Sequence, residues 1–268
     1  MELIKVETPN TQLVAARAAL IATGKNSRQL GDESRLKMLM WIYAWGYTAV
    51  FIVKLLLGRT TGGYLQKLAR QDWLVATKTK SGVPPFYFTL SEIGLQEVER
   101  RSESLCKYIE ADPYRVDQPK IRHYLIAQIA TINALNSKSI VSYETERMFG
   151  KEGDKLGVKR PDIAWLTSEG QRIGVEIELS AKWEKDLDFF VYGVMMALRK
   201  NENGVADYNR FFIISDAPAI IKRYKAAMQP GANLPMWKKN ERGHWAIYKN
   251  INVPDWLITR VDFKLMEI

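Results

Sequence analysis

Three carboxylates and a lysine stand out in the stretch KRPDIAWLTSEGQRIGVEIELSAKWEKD, from Lys159 to Asp186. Asp162 follows a proline. Glu176 and Glu178 alternate with Ile173, Val175, Ile177 and Leu179, and Lys182 stands four residues beyond Glu178. In a strand successive side chains point to opposite faces, so the apolar residues share one face and Glu176, Glu178 and Ser180 the other. Lys182 joins the polar side if the extended path continues that far. Glu is depleted in strands, and two on one face repel each other unless a cation or solvent compensates. Asp162 opens the preceding strand, and a turn at Ser168-Glu169-Gly170 lets a hairpin bring it opposite the Glu176–Glu178 end. Three carboxylates converging on one sheet edge form a hard-oxygen site suited to Mg²⁺ or Mn²⁺. Such an ion polarises a phosphoryl oxygen and lowers the pKa of a bound water. Lys182 would stand near the attacking water or the developing phosphorane charge. The plainer alternative is a solvated hairpin whose acidic face only meets water.

The elements that would hold this constellation can be read from periodicity and breakers. Thr11 to Ala22 forms a short amphipathic helix, followed by a polar break from Gly24 to Gly31. Leu36, Leu39, Met40 and Tyr43 mark a helix over about Glu33 to Trp45. A second helix runs from Thr48, its N-cap, to Leu57. A third follows Gly58-Arg59, capped by Thr60 or Thr61. WLVATKTKSGVPPFYFTL then reads as two strands around Ser81-Gly82, and a Ser91-capped helix closes the unit. This is the order of a winged helix-turn-helix. CKYIEADPYRVDQP is a connector, with a boundary near Asp112. Beyond it a helix after Asp117 carries Ile121, Leu125, Ile129 and Ile132. Strands follow near Ile140 to Glu146, Asp162 to Leu166 and Arg172 to Leu179. A helix over Trp183 to Arg199 and an apolar strand, Arg210 to Asp216, complete a small α/β sandwich.

The first unit has the charge for DNA. Arg59, Lys67, Arg70, Lys78 and Lys80 face Asp72 alone between Arg59 and Lys80. Thr60, Thr61, Tyr64 and Lys67 sit where a recognition helix meets the major groove, and Lys78 and Lys80 lie on the wing, near phosphates or a minor groove. An ordinary solvated basic face is the alternative. A second basic group, Lys222, Arg223, Lys225, Lys238, Lys239 and Arg242, has Trp237 in its midst and suits a nucleic-acid backbone or an unpaired base. Other residues read as structural. His123 is a core-edge histidine bonded to backbone, with a catalytic role as the alternative, and Tyr192 is a core residue. Glu144 and Glu146 lie on a solvated strand face, within reach of an outer ligand role. His244 falls in a late strand, GHWAIYKN.

Composition sets the outer bounds. The 268 residues suit one or two domains. A formal charge of +9 points to a polyanionic partner. One cysteine, Cys106, excludes an internal disulfide and a multi-cysteine zinc cage, and two histidines exclude a His-rich metal centre. The segment LKMLMWIYAWGYTAVFIVKLLL is long enough to span a bilayer. Lys37, Lys54 and the turn at Gly46-Tyr47-Thr48 instead divide it into two buried helices, so no membrane insertion is expected. MELIKVETPNTQ lacks the pattern of a signal peptide, and the chain reads as cytoplasmic.

Pro161-Asp162, then Glu176-Ile177-Glu178 and Lys182, resembles the PD-(D/E)xK nuclease signature, and the helix–strand–strand–strand–helix–strand order agrees with that restriction-endonuclease-like fold. The family's usual lysine stands two residues after the second carboxylate, where this chain has Glu178. Some members carry Glu there and others recruit a lysine from elsewhere, which makes Lys182 a stand-in. The layout over roughly residues 28 to 216 also resembles replication-relaxation proteins and MobC-type plasmid mobilisation relaxases. That resemblance implies a Mg²⁺- or Mn²⁺-dependent nickase at a plasmid transfer origin, with accessory mobilisation and coupling proteins as partners. Better-known relaxases use a His-rich metal cluster and a nucleophilic Tyr, a pattern this chain lacks. The expected fold class is α/β in two domains, with an extension over 1–27, a winged helix over 28–112 and a nuclease-like domain over 113–268. Asp162, Glu176 and Glu178 would be ligands and Lys182 the catalytic cation. A non-catalytic DNA-binding regulator or replication-initiation factor is the alternative.

Overall fold

The computed structural model describes residues 24–58, 63–102, 105, 112–149 and 157–266. The expected helix over Thr11 to Ala22, Arg59, the caps Thr60 and Thr61, and Cys106 lie outside the described residues.

Helix α1 spans Ser27–Trp45. It begins earlier than its apolar stripe because Asn26 and Gln29 form a reciprocal capping box that carries the helix through a polar first stretch. Gly46 ends it at φ 85°, a conformation that favours glycine. Helix α2 spans Val50–Leu57 with Ala49 as N-cap and no side-chain cap. Thr48 is therefore not the cap the sequence suggests. Its N–H and C=O pair with Phe88, and its hydroxyl donates to Gln128 Oε1 at 2.9 Å. The apolar stretch is two helices, as its breakers imply, and among the described residues no helix is long and apolar enough to cross a membrane.

Helix α3 (Tyr64–Arg70) leads into the antiparallel pair β1 (Leu74–Lys78) and β2 (Phe86–Leu90). Helix α4 (Glu92–Arg101) follows, with the Ser91 hydroxyl accepting from Gly94 N at 3.0 Å. Two short 3₁₀ turns then feed α5 (Ile121–Asn136).

The main sheet has the order β3 (Ser142–Thr145), β4 (Ile163–Leu166), β5 (Arg172–Ile177), β6 (Arg210–Ser215), β9 (Val261–Leu265). Its first three strands run antiparallel, and β5, β6 and β9 run parallel. Helix α6 (Glu184–Leu198) connects β5 to β6, and α7 (Pro218–Ala227) follows β6. A separate ribbon, β7 (Asn233–Lys239) with β8 (Trp245–Asn252), and the short α8 (Asp255–Ile258) precede β9.

Alternation along the strands sorts the sheet into two apolar layers. Ile163, Ile173, Val175 and Ile177 pack with Leu125, Ile126 and Ile132 of α5. Ala164, Phe211 and Ile213 pack with Phe190, Val191 and Val194 of α6 and with Tyr224 of α7. The α5 layer continues into the N-terminal unit through Leu39, Ile42, Trp45 and Phe88, so apolar packing crosses the connector at Asp112. Gln128 pins this junction. Its amide oxygen accepts from Trp41 Nε1 at 2.8 Å and its amide nitrogen donates to the Tyr47 carbonyl at 2.8 Å. The molecule is a mixed α/β structure.

Candidate active site

The acidic residues come together by register. Ile163 pairs with Val175 in the β4–β5 ladder, and one further step brings Asp162 level with Glu176. Ile177 faces the α5 layer, which turns Glu176 and Glu178 toward α6 and α7. Glu178 lies past the end of β5, yet its N–H donates to the Ile214 carbonyl at 2.8 Å and prolongs the extended path. All three carboxylates thus reach one end of the sheet, and Glu176 and Glu178 are 4% and 3% exposed. Charged residues are almost never so deeply buried without partners.

Each has one. Asp162 Oδ2 accepts from Ile177 N at 2.8 Å and lies 3.1 Å from His123 Nε2. Glu176 Oε1 lies 2.5 Å from Lys159 Nζ. Glu178 Oε1 is paired with Lys182 Nζ, and its Oε2 accepts from the Tyr224 hydroxyl at 2.9 Å. Lys182 is held in turn by its main chain, its carbonyl accepting from Arg223 Nε at 2.9 Å. The sequence-derived set Asp162, Glu176, Glu178 and Lys182 is therefore gathered in space, with Glu178 turned toward Lys182 and Tyr224.

Sequence reasoning passed over Lys159 and Tyr224 and did not foresee the partner of His123. Lys159 stands just before the proline of the motif, but nothing local marks its target. Its approach depends on Gly193 of α6, whose carbonyl accepts from Lys159 N at 2.9 Å. A Cβ at position 193 would sit 3.0 Å from that nitrogen. His123 meets the Ile177 backbone as a core-edge histidine should, and its Nε2 also engages the Asp162 carboxylate, because α5 delivers the ring to the end of the sheet. Tyr224 comes from α7, more than forty residues downstream of Glu178. Glu144, on the exposed side of β3, pairs with Arg172, and the exposed Glu146, just past the strand's end, with the Tyr124 hydroxyl. Tyr192 is half-buried against the α6 layer, in line with a core role.

The electrostatics follow from crowding. Burial, and then the Asp162 charge, push the Glu176 carboxyl well above the usual carboxylate range despite Lys159. Burial also opposes charge on Asp162, but His123, Lys159 and the Ile177 N–H outweigh it and hold that carboxyl low. Burial pulls Lys159 down, and the charges of Glu176, Asp162 and Glu178 more than reverse the effect. His123 is likewise raised by Asp162 against burial. The upward shifts of Glu176 and Lys159 pull in opposite senses on their shared contact. Lys159 answers to three carboxylates and stays charged, while burial and the Asp162 charge favour the protonated form of Glu176.

Glu176 Oε2 is buried with no hydrogen-bond partner, beside the like-charged Asp162. By charge and donor type this pair fits one small hard cation. Glu178 has both oxygens engaged, and among the described residues no group of three or more His, Cys, Asp or Glu is disposed to hold a metal. The fit is thus to two carboxylates. The carboxylates' partners Lys159 and Lys182 also line a cleft of about 1090 Å³, together with Arg160, Trp237, Trp245 and Tyr248 and the acids Glu146, Asp186 and Asp188, whereas Asp162, Glu176 and Glu178 are not in its lining.

No family model matches the chain, and neither a curated protein nor a solved structure does.

Elsewhere, Lys67, Arg70, Lys78 and Lys80 are exposed, whereas Tyr64 is half-buried against the N-terminal core. In the second basic group, Arg223 lies 3.6 Å from the centre of the exposed Trp183 ring, and Trp237 Nε1 donates to Asp188 at 2.8 Å.

Proposed function

We propose that this chain is a divalent-metal-dependent DNA endonuclease of the PD-(D/E)xK kind. In this reading the N-terminal unit is a winged helix-turn-helix that docks on duplex DNA through Lys67, Arg70, Lys78 and Lys80. The α/β unit hydrolyses a phosphodiester. Its specific form is a relaxase-like nickase at a plasmid transfer origin, working with accessory mobilisation and coupling proteins. The observation that carries the reading is the buried Asp162–Glu176 pair at the sheet end, with one Glu176 oxygen unpartnered and the Glu176 partner Lys159 lining a neighbouring cleft.

Asp162 and Glu176 would hold Mg²⁺ or Mn²⁺. When bound, such an ion polarises a phosphoryl oxygen and acidifies water. Lys159 lines the cleft and meets the charge that builds on the phosphoryl group. The Lys182–Glu178–Tyr224 chain sets Glu178 as the group that orients water and keeps the Lys182 ammonium at the cleft wall. His123 holds Asp162 in its ionised form.

One observation favours a second reading. Every carboxylate already has a cationic partner within the protein: His123, Lys159 or Lys182. A self-neutralised cluster suits a non-catalytic DNA-binding regulator or replication-initiation factor. Nicking of supercoiled plasmid in Mn²⁺ separates the two. The nuclease reading expects nicked product from the wild type and a loss of at least a hundredfold in Glu176→Gln. Equal product from both proteins, or none from either alongside no heat of Mn²⁺ binding by calorimetry, leaves the regulator.

A further inference from the structure

Residues 245 and 248 stand three apart, so strict alternation would send Trp245 and Tyr248 to opposite faces of β8. Both nevertheless line the same cleft as Lys159 and Lys182. The ladder explains it. Met236 pairs with Lys249 and Trp237 with Ile247, leaving Tyr248 as the extra residue of a β-bulge. A bulge re-aims side chains, and here it re-phases the strand. The inner end of the ribbon is anchored by Leu234 and Ile251 in the α6 layer. Its outer part is tied to α6 by the Trp237–Asp188 hydrogen bond.

The rings gathered this way are not core residues. Trp245 is 43% exposed and Tyr248 51%, and Phe189 of α6, 38% exposed, meets Trp245 edge-on at 5.2 Å. Cations stand over them, with Asp186 and Asp188 in the same cleft lining. Lys185 and Lys239 stand 5.0 and 5.5 Å from the Trp245 ring centre, and Lys238 stands 5.4 Å from that of Tyr248. Between Asn233 and Asn252 the chain carries four Lys or Arg against Glu241 alone. Exposed aromatic faces interleaved with lysines are what a single strand of nucleic acid requires: rings to stack bases and ammonium groups to track phosphates. A duplex cannot use the rings, because its bases are already stacked.

We infer that the bulged β7–β8 ribbon is a binding platform for single-stranded DNA, with Trp245 and Tyr248 stacking bases and Lys185, Lys238 and Lys239 meeting the backbone, and that it leads an unpaired strand into the cleft lined by Lys159 and Lys182. This deepens the nuclease reading by naming the substrate form at the cleft, and rests on it only for the strand's destination.

Binding can be tested apart from cleavage. The full chain in EDTA is titrated into a labelled mixed-sequence single-stranded DNA 20-mer, its duplex and the matching RNA, and followed by fluorescence anisotropy. The platform requires tight single-strand binding, weakened about tenfold by Trp245→Ala and by Tyr248→Ala, in line with one stacked base each. Trp245→Phe should retain most of the affinity, which guards against a folding defect. Glu176→Gln should bind as the wild type does, so a failure of the nuclease reading leaves this result standing. Single-strand binding that is absent, indifferent to both aromatic variants, or weaker than binding to RNA overturns the inference. So does an equal loss of duplex affinity in the alanine variants.

Discussion

Lys159 Nζ lies 2.5 Å from Glu176 Oε1, and this contact joins the loop before β4 to the centre of the sheet. A lysine placed before the motif proline thus reaches a carboxylate seventeen positions later. It does so because α6 offers a glycine, Gly193, against which the loop can lie. The pair is the electrostatic hinge of the site: Glu176 is nearly fully buried, and Lys159 is its charge partner.

Breaking that pair should be costly. Removing one partner of a buried ion pair costs about 3–5 kcal/mol. Lys159→Met should fall near the low end, roughly 3 kcal/mol, because Glu176 can take a proton instead. Urea unfolding of the metal-free protein measures it. Adding Glu176→Gln to Lys159→Met should recover part of the loss, since no buried charge then remains unpaired.

Tyr224→Phe removes a hydroxyl that bonds Glu178 and also accepts from Lys182 N at 3.3 Å. The hydroxyl donates to a buried carboxylate at 2.9 Å, and bonds to charged groups contribute about 1.5–3 kcal/mol. The expected outcome is a loss in that range by chemical denaturation, with little change in far-UV circular dichroism. A loss below a few tenths would mean that Lys182 alone satisfies Glu178.

Gln128→Leu tests the junction between the helical unit and the α/β unit. It strands Trp41 Nε1, the Thr48 hydroxyl and the Tyr47 carbonyl in a buried setting. An unsatisfied buried group costs about 1–3 kcal/mol, so a loss of roughly 3 kcal/mol is expected. Since apolar packing runs across this junction, the unfolding transition should stay single and shift as a whole.

The His123–Asp162 pair sets a pH dependence in chelator-treated protein. The His123 folded-state pKa lies above its ordinary value near 6.5. Its contribution to stability is therefore complete below that value and is lost as pH rises through the higher folded one. Asp162 is held low, so its contribution is present above the ordinary aspartate range and is lost as pH falls through its folded value. Stability should pass through a maximum in mildly acidic buffer. In His123→Asn the alkaline decline should be reduced, as read from urea midpoints across pH.

Much of this was legible before any coordinates. The alternation of Ile173, Val175 and Ile177 with Glu176 and Glu178 announced a strand with one acidic face, and β5 carries it. Ser91 read as a cap and is one, because its hydroxyl needs only a neighbour three residues on. Thr48 also read as a cap and is not. Its backbone bonds to Phe88 on β2 and its hydroxyl to Gln128 on α5, and these distant partners outcompete a local turn. The strand β9, next to β6, escaped notice, since a parallel partner in the sheet's last position leaves little local trace.

What the linear order determined by itself is most of the elements up to β6 and the face on which the acids stand, because strand and helix periods act between near neighbours. Tertiary packing alone decided which cation answers which carboxylate. Lys159, His123 and Tyr224 arrive from a loop and two helices separated along the chain, and their meeting depends on how two layers close over one sheet. Charge pairing in a buried site is a matter of distances of a few ångströms, and spacing along a chain does not encode those distances.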